Sequence, residues 1–482
     1  MAFQPVLYKN DDLVRRKLNP EPRALRWTLR QECIEQVKLN LLLWARTEGR
    51  SEPPPYQLNV CPSTLLQEVL HSVLNDESSS EPLKRVAEQL LANDLEEFDF
   101  RCIDDLTYCE IGAIFELVKA HGVNFKRLRL VGSWIHHPEA PSMIRQIVKS
   151  CPNLEQCALQ EAYHEDLVCV ARHCAKLRQL EILHPSITCG DVAKVQALAR
   201  REKFAMRKTL KRLSVPSSLS GSALLMLLEI FPEVDDVTCI DLEGLMQAMA
   251  ESEPSAVARC AKIRSLRVNK VMGWNSMENL VLTFPRLQSI SLITQEIMNL
   301  QQLSNLPHLT CLRLENSHVI PSSYTDDILP LLGAIGPNLK HLSLVHFDVI
   351  ELPKTHSFCP NLVSLDLQHF TLLGCNSDPI HRLQYGREKP FAGLRFLTMR
   401  PRQGKFISQE ACHMLLKHCR GLRSVELHEA YGMTDALASI LSDHNGFSEL
   451  QRIRLRGGHC LSRNGVETLL RRSTELRYCH IP

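Results

Sequence analysis

One short phrase recurs along this chain and limits what it can fold into more than any other feature. Cys151-Pro152-Asn153-Leu154 leads into Leu159, and Cys174-Ala175-Lys176-Leu177 leads into Leu180 and Ile182. Cys260-Ala261-Lys262-Ile263 leads into Leu266 and Val268, Cys359-Pro360-Asn361-Leu362 into Leu365 and Leu367, and Cys419-Arg420-Gly421-Leu422 into Val425 and Leu427. Phe231, Phe284, Leu306, Gly336, Phe391, Phe447 or Ser473 fills the cysteine slot in other copies. Aligned on their first apolar residue, the copies sit at Leu95, Phe125, Leu154, Leu177, Leu210, Val234, Ile263, Leu287, Leu309, Leu339, Leu362, Leu394, Leu422, Leu450 and Leu476. That is about fifteen units spaced by roughly 22 to 33 residues. A unit this short cannot bury its own apolar face, so neighbouring units must stack.

In each unit the alternating apolar residues face inward from a short parallel strand, while the residues between them face solvent. An apolar stretch such as Ala223 to Leu228 or Ala436 to Leu441 supplies the helix that returns the chain along the outer face. The spacing falls in the range of leucine-rich repeats. The predicted fold class is therefore α/β, a leucine-rich-repeat solenoid or horseshoe over 95–482, preceded by a short all-helical module over 21–94 and an N-terminal extension over 1–20. The cysteine-bearing phrase, with Met433-Thr434-Asp435 opening one helix, resembles the cysteine-containing subclass of these repeats, which is frequent in substrate receptors of ubiquitin ligases. The stretch from Leu362 to Leu394 is long and holds Gly374-Cys375-Asn376-Ser377-Asp378-Pro379, a loop insertion by composition.

Eighteen cysteines would suggest a disulfide framework in a small secreted chain. Here they are spread over 482 residues, and many occupy apolar repeat slots. Met1 to Asn10 lacks the basic-then-apolar pattern of a secretory signal. No apolar run approaches the length of a membrane helix, so no membrane partner is expected. The expected setting is reducing, cytoplasmic or nuclear, with buried cysteine acting as a small hydrophobe. A net charge of +2 argues against nucleic acid as a partner.

The pattern before the array is different. Arg26 to Trp44 has Leu29, Cys33, Val37 and Leu41 at four-residue steps, which predicts a helix with one apolar stripe. After the Pro-rich Glu52-Pro53-Pro54-Pro55, the run Cys61 to Leu70 opens with Pro and Ser and predicts a second helix, and Leu83 to Leu91 a third. Thr28-Leu29-x-x-x-Cys33-x-x-x-Val37 resembles an elongin-binding box, and Cys61-Pro62-x-x-Leu65-x-x-x-Val69 is similar to a cullin-2-type box. Together they resemble a VHL-box. The resemblance implies that Thr28, Leu29, Cys33 and Val37 contact elongin C, within elongin B/C. It also implies that Cys61, Pro62, Leu65 and Val69 contact cullin-2, or cullin-5, with its RING protein. Cys61 departs from the leucine more usual before that proline. Two alternatives stay open. Pro62 to Leu74 also begins like an F-box, without the later tryptophan-containing helix of that motif. The three helices would also serve simply as the cap that an array needs, making the chain a non-ligase interaction scaffold.

No catalytic constellation is present: the chain has no Gly-rich phosphate loop, no G-x-S-x-G elbow and no C-x-x-C pair. Cys412-His413 and His418-Cys419 are spaced like metal ligands, but Cys419 belongs to the repeat phrase, so neither metal nor cofactor is expected. Function is expected on the solvent-facing strand positions, where an unknown protein target would bind. Arg267, Arg313, His341, Arg452 and Arg454 are the candidate contacts, the arginines suiting an acidic or phosphorylated segment. Phe347 and Phe370, just past their strands, are expected to fill the core.

Overall fold

The computed structural model describes residues 29–46, 63–74, 80–92, 95–103, 108–184, 187–216, 219–239, 242–251, 258, 260–268, 276–294, 299–317, 322–374, 389–457 and 460–481. It divides into two compact units, Ala24–Ile263 and Arg264–Pro482.

The first unit opens with three helices: α1 (Leu29–Arg46), α2 (Ser63–Leu74) and α3 (Ser80–Leu91). They bury Leu41, Leu42 and Ala45 from α1, Leu66, Val69, Leu70 and Val73 from α2, and Val86, Ala87, Leu90 and Leu91 from α3. Polar contacts pin α1 in place: Ser72 Oγ donates to Glu35 Oε1 at 2.7 Å, and Arg85 Nη1 donates to the Ala45 carbonyl at 2.9 Å. Of the expected row of Leu29, Cys33, Val37 and Leu41, only Val37 and Leu41 have side chains among those described. Four-residue steps overshoot a 3.6-residue turn by ~40° each, so those positions spread over about 120° of the helix. The core takes Leu41 at one end of that arc, while Val37 is only half-buried.

Parallel strands follow, paired in chain order: β1 (Glu97–Asp99), β2 (Arg127–Leu130), β3 (Gln156–Leu159), β4 (Gln179–Ile182), β5 (Arg212–Ser214) and β6 (Asp236–Cys239). α2 touches β1, and α3 packs on the helix Tyr108–Ala120, so the helical module seals the open end of this sheet. A bare strand edge there would expose unpaired backbone groups.

The second unit repeats the plan with β7 (Ser265–Val268), β8 (Ser289–Thr294), β9 (Cys311–Asn316) and β10 (His341–Val345). A short β11 (Val349–Glu351) lies between β10 and the next main strand, β12 (Ser364–Phe370), and β13 (Leu372–Gly374) follows it. The main series ends with β14 (Phe396–Pro401), β15 (Ser424–Leu427), β16 (Arg452–Leu455) and β17 (Tyr478–His480). β11 and β13 pair only with each other. All of the main strands are parallel neighbours in series. The expected insertion after Gly374 falls largely in 375–388, outside the described residues.

Each aligned apolar residue precedes its strand by two positions, from Leu95 before Glu97 to Leu476 before Tyr478. Both units thus form the leucine-rich-repeat fold. The slot occupied by cysteine has a clear structural role. Cys151, Cys174 and Cys359 each cap the C-terminus of the returning helix, as Phe231 does in its own repeat. All four are buried between helix and strand. Burial pushes the thiols of Cys151, Cys174, Cys359 and Cys419 up to about 12, so they stay protonated and apolar. The Cys419 sulfur lies 2.7 Å from the Leu415 carbonyl oxygen and 3.0 Å from that of Phe391 one repeat earlier, and its single S–H is shared between them. The opposite helix ends are closed by Thr188, Ser220, Ser408, Thr434 and Ser462, whose hydroxyls accept from backbone N–H groups in the first turn. Phe347 and Phe370 are buried, as expected for core fillers.

Just past several strands the chain turns through a left-handed residue. His346, Glu429 and Gly457 hold this place after β10, β15 and β16, and His369 holds the equivalent place at the penultimate residue of β12. At Gly457 a Cβ would lie 2.9 Å from the Glu429 backbone, so the residue must be glycine. The His346 and His369 rings stack at 4.5 Å.

Candidate protein-interaction surfaces

Because the strands are in register, outward residues of successive repeats line up into rows. In the second unit one row reads Arg267, Ser291, Arg313, Ser343, Asp366, Thr398, Glu426, Arg454 and His480. A parallel row holds His341, Phe396 and Arg452. None of the candidate contacts is buried: Arg267, His341 and Arg452 are exposed, and Arg313 and Arg454 are partly covered.

Neighbours decide which of these cations is available. Arg454 Nη1 lies 3.5 Å from Glu426 Oε1, where Arg400 Nη2 at 3.0 Å and His428 Nε2 at 2.9 Å converge as well. Burial alone would push the Glu426 carboxyl up, but the His428 hydrogen bond and the two guanidiniums outweigh it and hold the group below its usual range. Arg452 lies over the Tyr478 ring, 5.0 Å from its centroid. Arg313 Nη1 donates to Ser343 Oγ at a long 3.4 Å and approaches Asp366 at 3.7 Å. The Asp366 carboxylate is already served by Ser343 at 3.0 Å and by Gln368 at 2.8 Å. The Arg267 side chain has no ion-pair or hydrogen-bond partner among the described residues. It lines a groove of about 450 Å³ with Val268, Ser291, Leu292, Ile293, Arg313 and Glu315.

In the first unit Arg127 pairs with Glu97 at 2.8 Å on the neighbouring strand, while Arg129 reaches past Ala158 to Glu181 at 3.6 Å. A smaller groove of about 270 Å³ lies against β3 to β6. Its cations Arg178, Lys211 and Arg212 share the lining with Glu155, Asp235 and Asp236. Arg212 Nε is 2.5 Å from Asp236, and Lys211 pairs with Glu233 at 2.9 Å.

On the helical module, Thr28, Cys61 and Pro62 lie outside the described residues. Leu29 and Cys33 fall within α1, although their side chains are not among those described. Leu65 is half-buried, and Val69 is 1% exposed, part of the core joining α2 to its neighbours. α1 also carries two leucines that the sequence reading passed over: Leu39 is 48% and Leu43 60% exposed. The sequence reading also missed Ser291, Glu315 and the meeting of charges at Glu426. Aligning the second and third outward positions of every repeat, rather than scanning for arginines, would have found all three.

No group of three or more His, Cys, Asp or Glu that could hold a metal occurs among the described residues. Cys412 and Cys419 are buried in repeat cores. No helix among those residues is long and apolar enough to cross a membrane.

No family model matches the chain, and no curated protein matches it. Solved structures do. The Rad7 and Elc1 complex of yeast is 16% identical, covers 94% of this chain and 92% of that one, and aligns with a TM-score of 0.39. An internalin from Listeria monocytogenes is 12% identical over 66% of this chain and 89% of that one, with a TM-score of 0.33. The TLR13–ssRNA13 complex is 14% identical over 73% of this chain, with a TM-score of 0.37, and the chain spans 49% of that protein's length. These likenesses concern the repeat fold alone.

Proposed function

We propose that this chain is the substrate-recognition subunit of a cullin-RING ubiquitin ligase. Thr28, together with Leu29, Cys33 and Val37 of α1, binds elongin C of elongin B/C, and Cys61 and Pro62 with the start of α2 meet cullin-2. The repeats hold the protein to be modified. The chain positions a target and performs no bond chemistry itself.

The observation that carries this reading is the outer face of α1. A helix that served only to cap the array would turn its large apolar residues inward, yet Leu39 and Leu43 are left at the surface. The same helix contains the Leu29-x-x-x-Cys33-x-x-x-Val37 phrase. With Val69 in the core, contact with a cullin falls to Cys61, Pro62 and Leu65, and Val69 keeps α2 in place. Capping and adaptor binding are compatible, because one helix can bury Leu41 and Leu42 and still leave Leu39 and Leu43 at the surface.

Co-expression with elongin B/C tests the reading. The wild-type chain is expected to co-elute with both subunits. Leu29→Ser combined with Cys33→Ser is expected to abolish co-elution while leaving the melting temperature of the repeats unchanged. Failure to recover elongin C would end the proposal, and recovery of the F-box adaptor instead would establish the F-box reading in its place.

A further inference from the structure

The groove over β7, β8 and β9 has the makings of a charge-selective pocket, and its chemistry narrows the class of target. Arg267 and Arg313 stand in one row on either side of Ser291. Adjacent strands are ~4.8 Å apart, so the two arginine backbones are separated by about 10 Å, a span that two long side chains can close around one tetrahedral or planar anion. Ser291 adds a hydroxyl between them, and Leu292 and Ile293 line the same groove. The Arg267 side chain is unpaired among the described residues, and the Arg313 contacts with Ser343 and Asp366 are long enough to exchange for a better acceptor. Glu315 lines the groove two residues beyond Arg313 on the same strand face, and its carboxylate disfavours a second anion there.

We propose that this groove captures a single acidic side chain, phosphate or carboxylate, on a segment of the partner protein, with an uncharged or basic residue placed beside Glu315. Binding uses charge-assisted hydrogen bonds from both guanidiniums, each able to grip two oxygens. The proposal rests on the reading of the repeats as a target-holding surface. It specifies one anion rather than a polyacidic tract.

The full-length chain, immobilised, is tested with three degenerate peptide pools that differ only at a fixed central position: phosphoserine, glutamate or serine. The phosphoserine pool is expected to be retained at least tenfold over the serine pool. Arg267→Gln and Arg313→Gln are each expected to remove most of that preference, with Arg267→Lys restoring part of it. Lys176→Gln, an exposed cation in the first unit, is expected to change nothing. A glutamate pool held as well as phosphoserine shows that the groove takes either anion, and one held no better than serine assigns it to phosphate. Equal retention of all three pools, or full preference surviving in Arg267→Gln, overturns the proposal. Arg267 is exposed, so its variants are expected to melt like wild type. Elongin B/C co-elution is read in parallel: Arg267→Gln leaves it intact, and the Leu29→Ser, Cys33→Ser variant leaves peptide retention intact, so the two ideas fail separately.

Discussion

The grooves on the two units share a floor and differ in their lining. Under the first, Leu180 and Leu213 point into the core, and under the second Leu266, Ile290 and Leu312 do the same. Above the first floor, three cations meet three carboxylates, and the pairs Arg212–Asp236 and Lys211–Glu233 close at salt-bridge distance. Above the second, two arginines share the lining with one carboxylate, and the Arg267 side chain has no partner among the described residues. One repeat grammar thus yields a self-neutralised surface in one unit and a cationic one in the other. Repeats fix where an outward residue stands, and the identities along a row decide whether it binds its neighbours or something else.

The largest effects test the shared floor. Leu180→Ala and Leu312→Ala, each removing a fully buried side chain, are expected to cost ~2–5 kcal/mol of stability, read by chemical denaturation. A marked difference between them would show that the floors are not equivalent. Next comes the lining of the second groove. Ser291→Asp places a carboxylate between Arg267 and Arg313, and it is expected to weaken retention of acidic peptides at least tenfold, about 1.4 kcal/mol, with little change in melting temperature. Asp236→Asn runs the comparison in reverse by releasing Arg212. In an Arg267→Gln background it is expected to restore a weak preference for the phosphoserine pool, and no gain would mean that unpaired charge alone does not make the site.

The smallest expected effect is at Glu426. Glu426→Gln removes the carboxylate on which Arg400, Arg454 and His428 converge, and the melting temperature is expected to fall by an amount equivalent to about 1 kcal/mol. The sign with pH follows from a carboxyl held below its usual range. Its contribution is present above the unfolded value of about 4.3 and is lost as the pH falls through the lower folded value. Wild type and Glu426→Gln should therefore converge in acid and diverge toward neutrality.

The array was legible because its signal is repeated. Every aligned residue from Leu95 to Leu476 stands two positions before a strand, and each miscount would have broken the period. The buried cysteines and Phe347 and Phe370 followed from the same pattern. The helical module carries no such repetition. Its single apolar row suggested a stripe through Leu29, Cys33, Val37 and Leu41, and packing against α2 and α3 buries Leu41 of that row together with Ile34, Leu42 and Ala45, which lie off it. Only tertiary contact could reveal that Leu39 and Leu43 stay outside. The candidate contacts suffered from the opposite gap. Position in the repeat placed Arg267, Arg313, Arg452 and Arg454 at the surface, but their availability depends on Tyr478, Glu426 and Asp366, which lie one or two strands away.

The thiols at the helix ends also make the chain its own stopwatch. A group with a pKa near 12 inside a closed repeat is almost inert to alkylating reagents, and becomes an ordinary cysteine once that repeat opens. Cys151 and Cys174 sit in one unit and Cys359 and Cys419 in the other. The order in which they are alkylated in native buffer would therefore time the opening of the solenoid repeat by repeat, with no cysteine introduced.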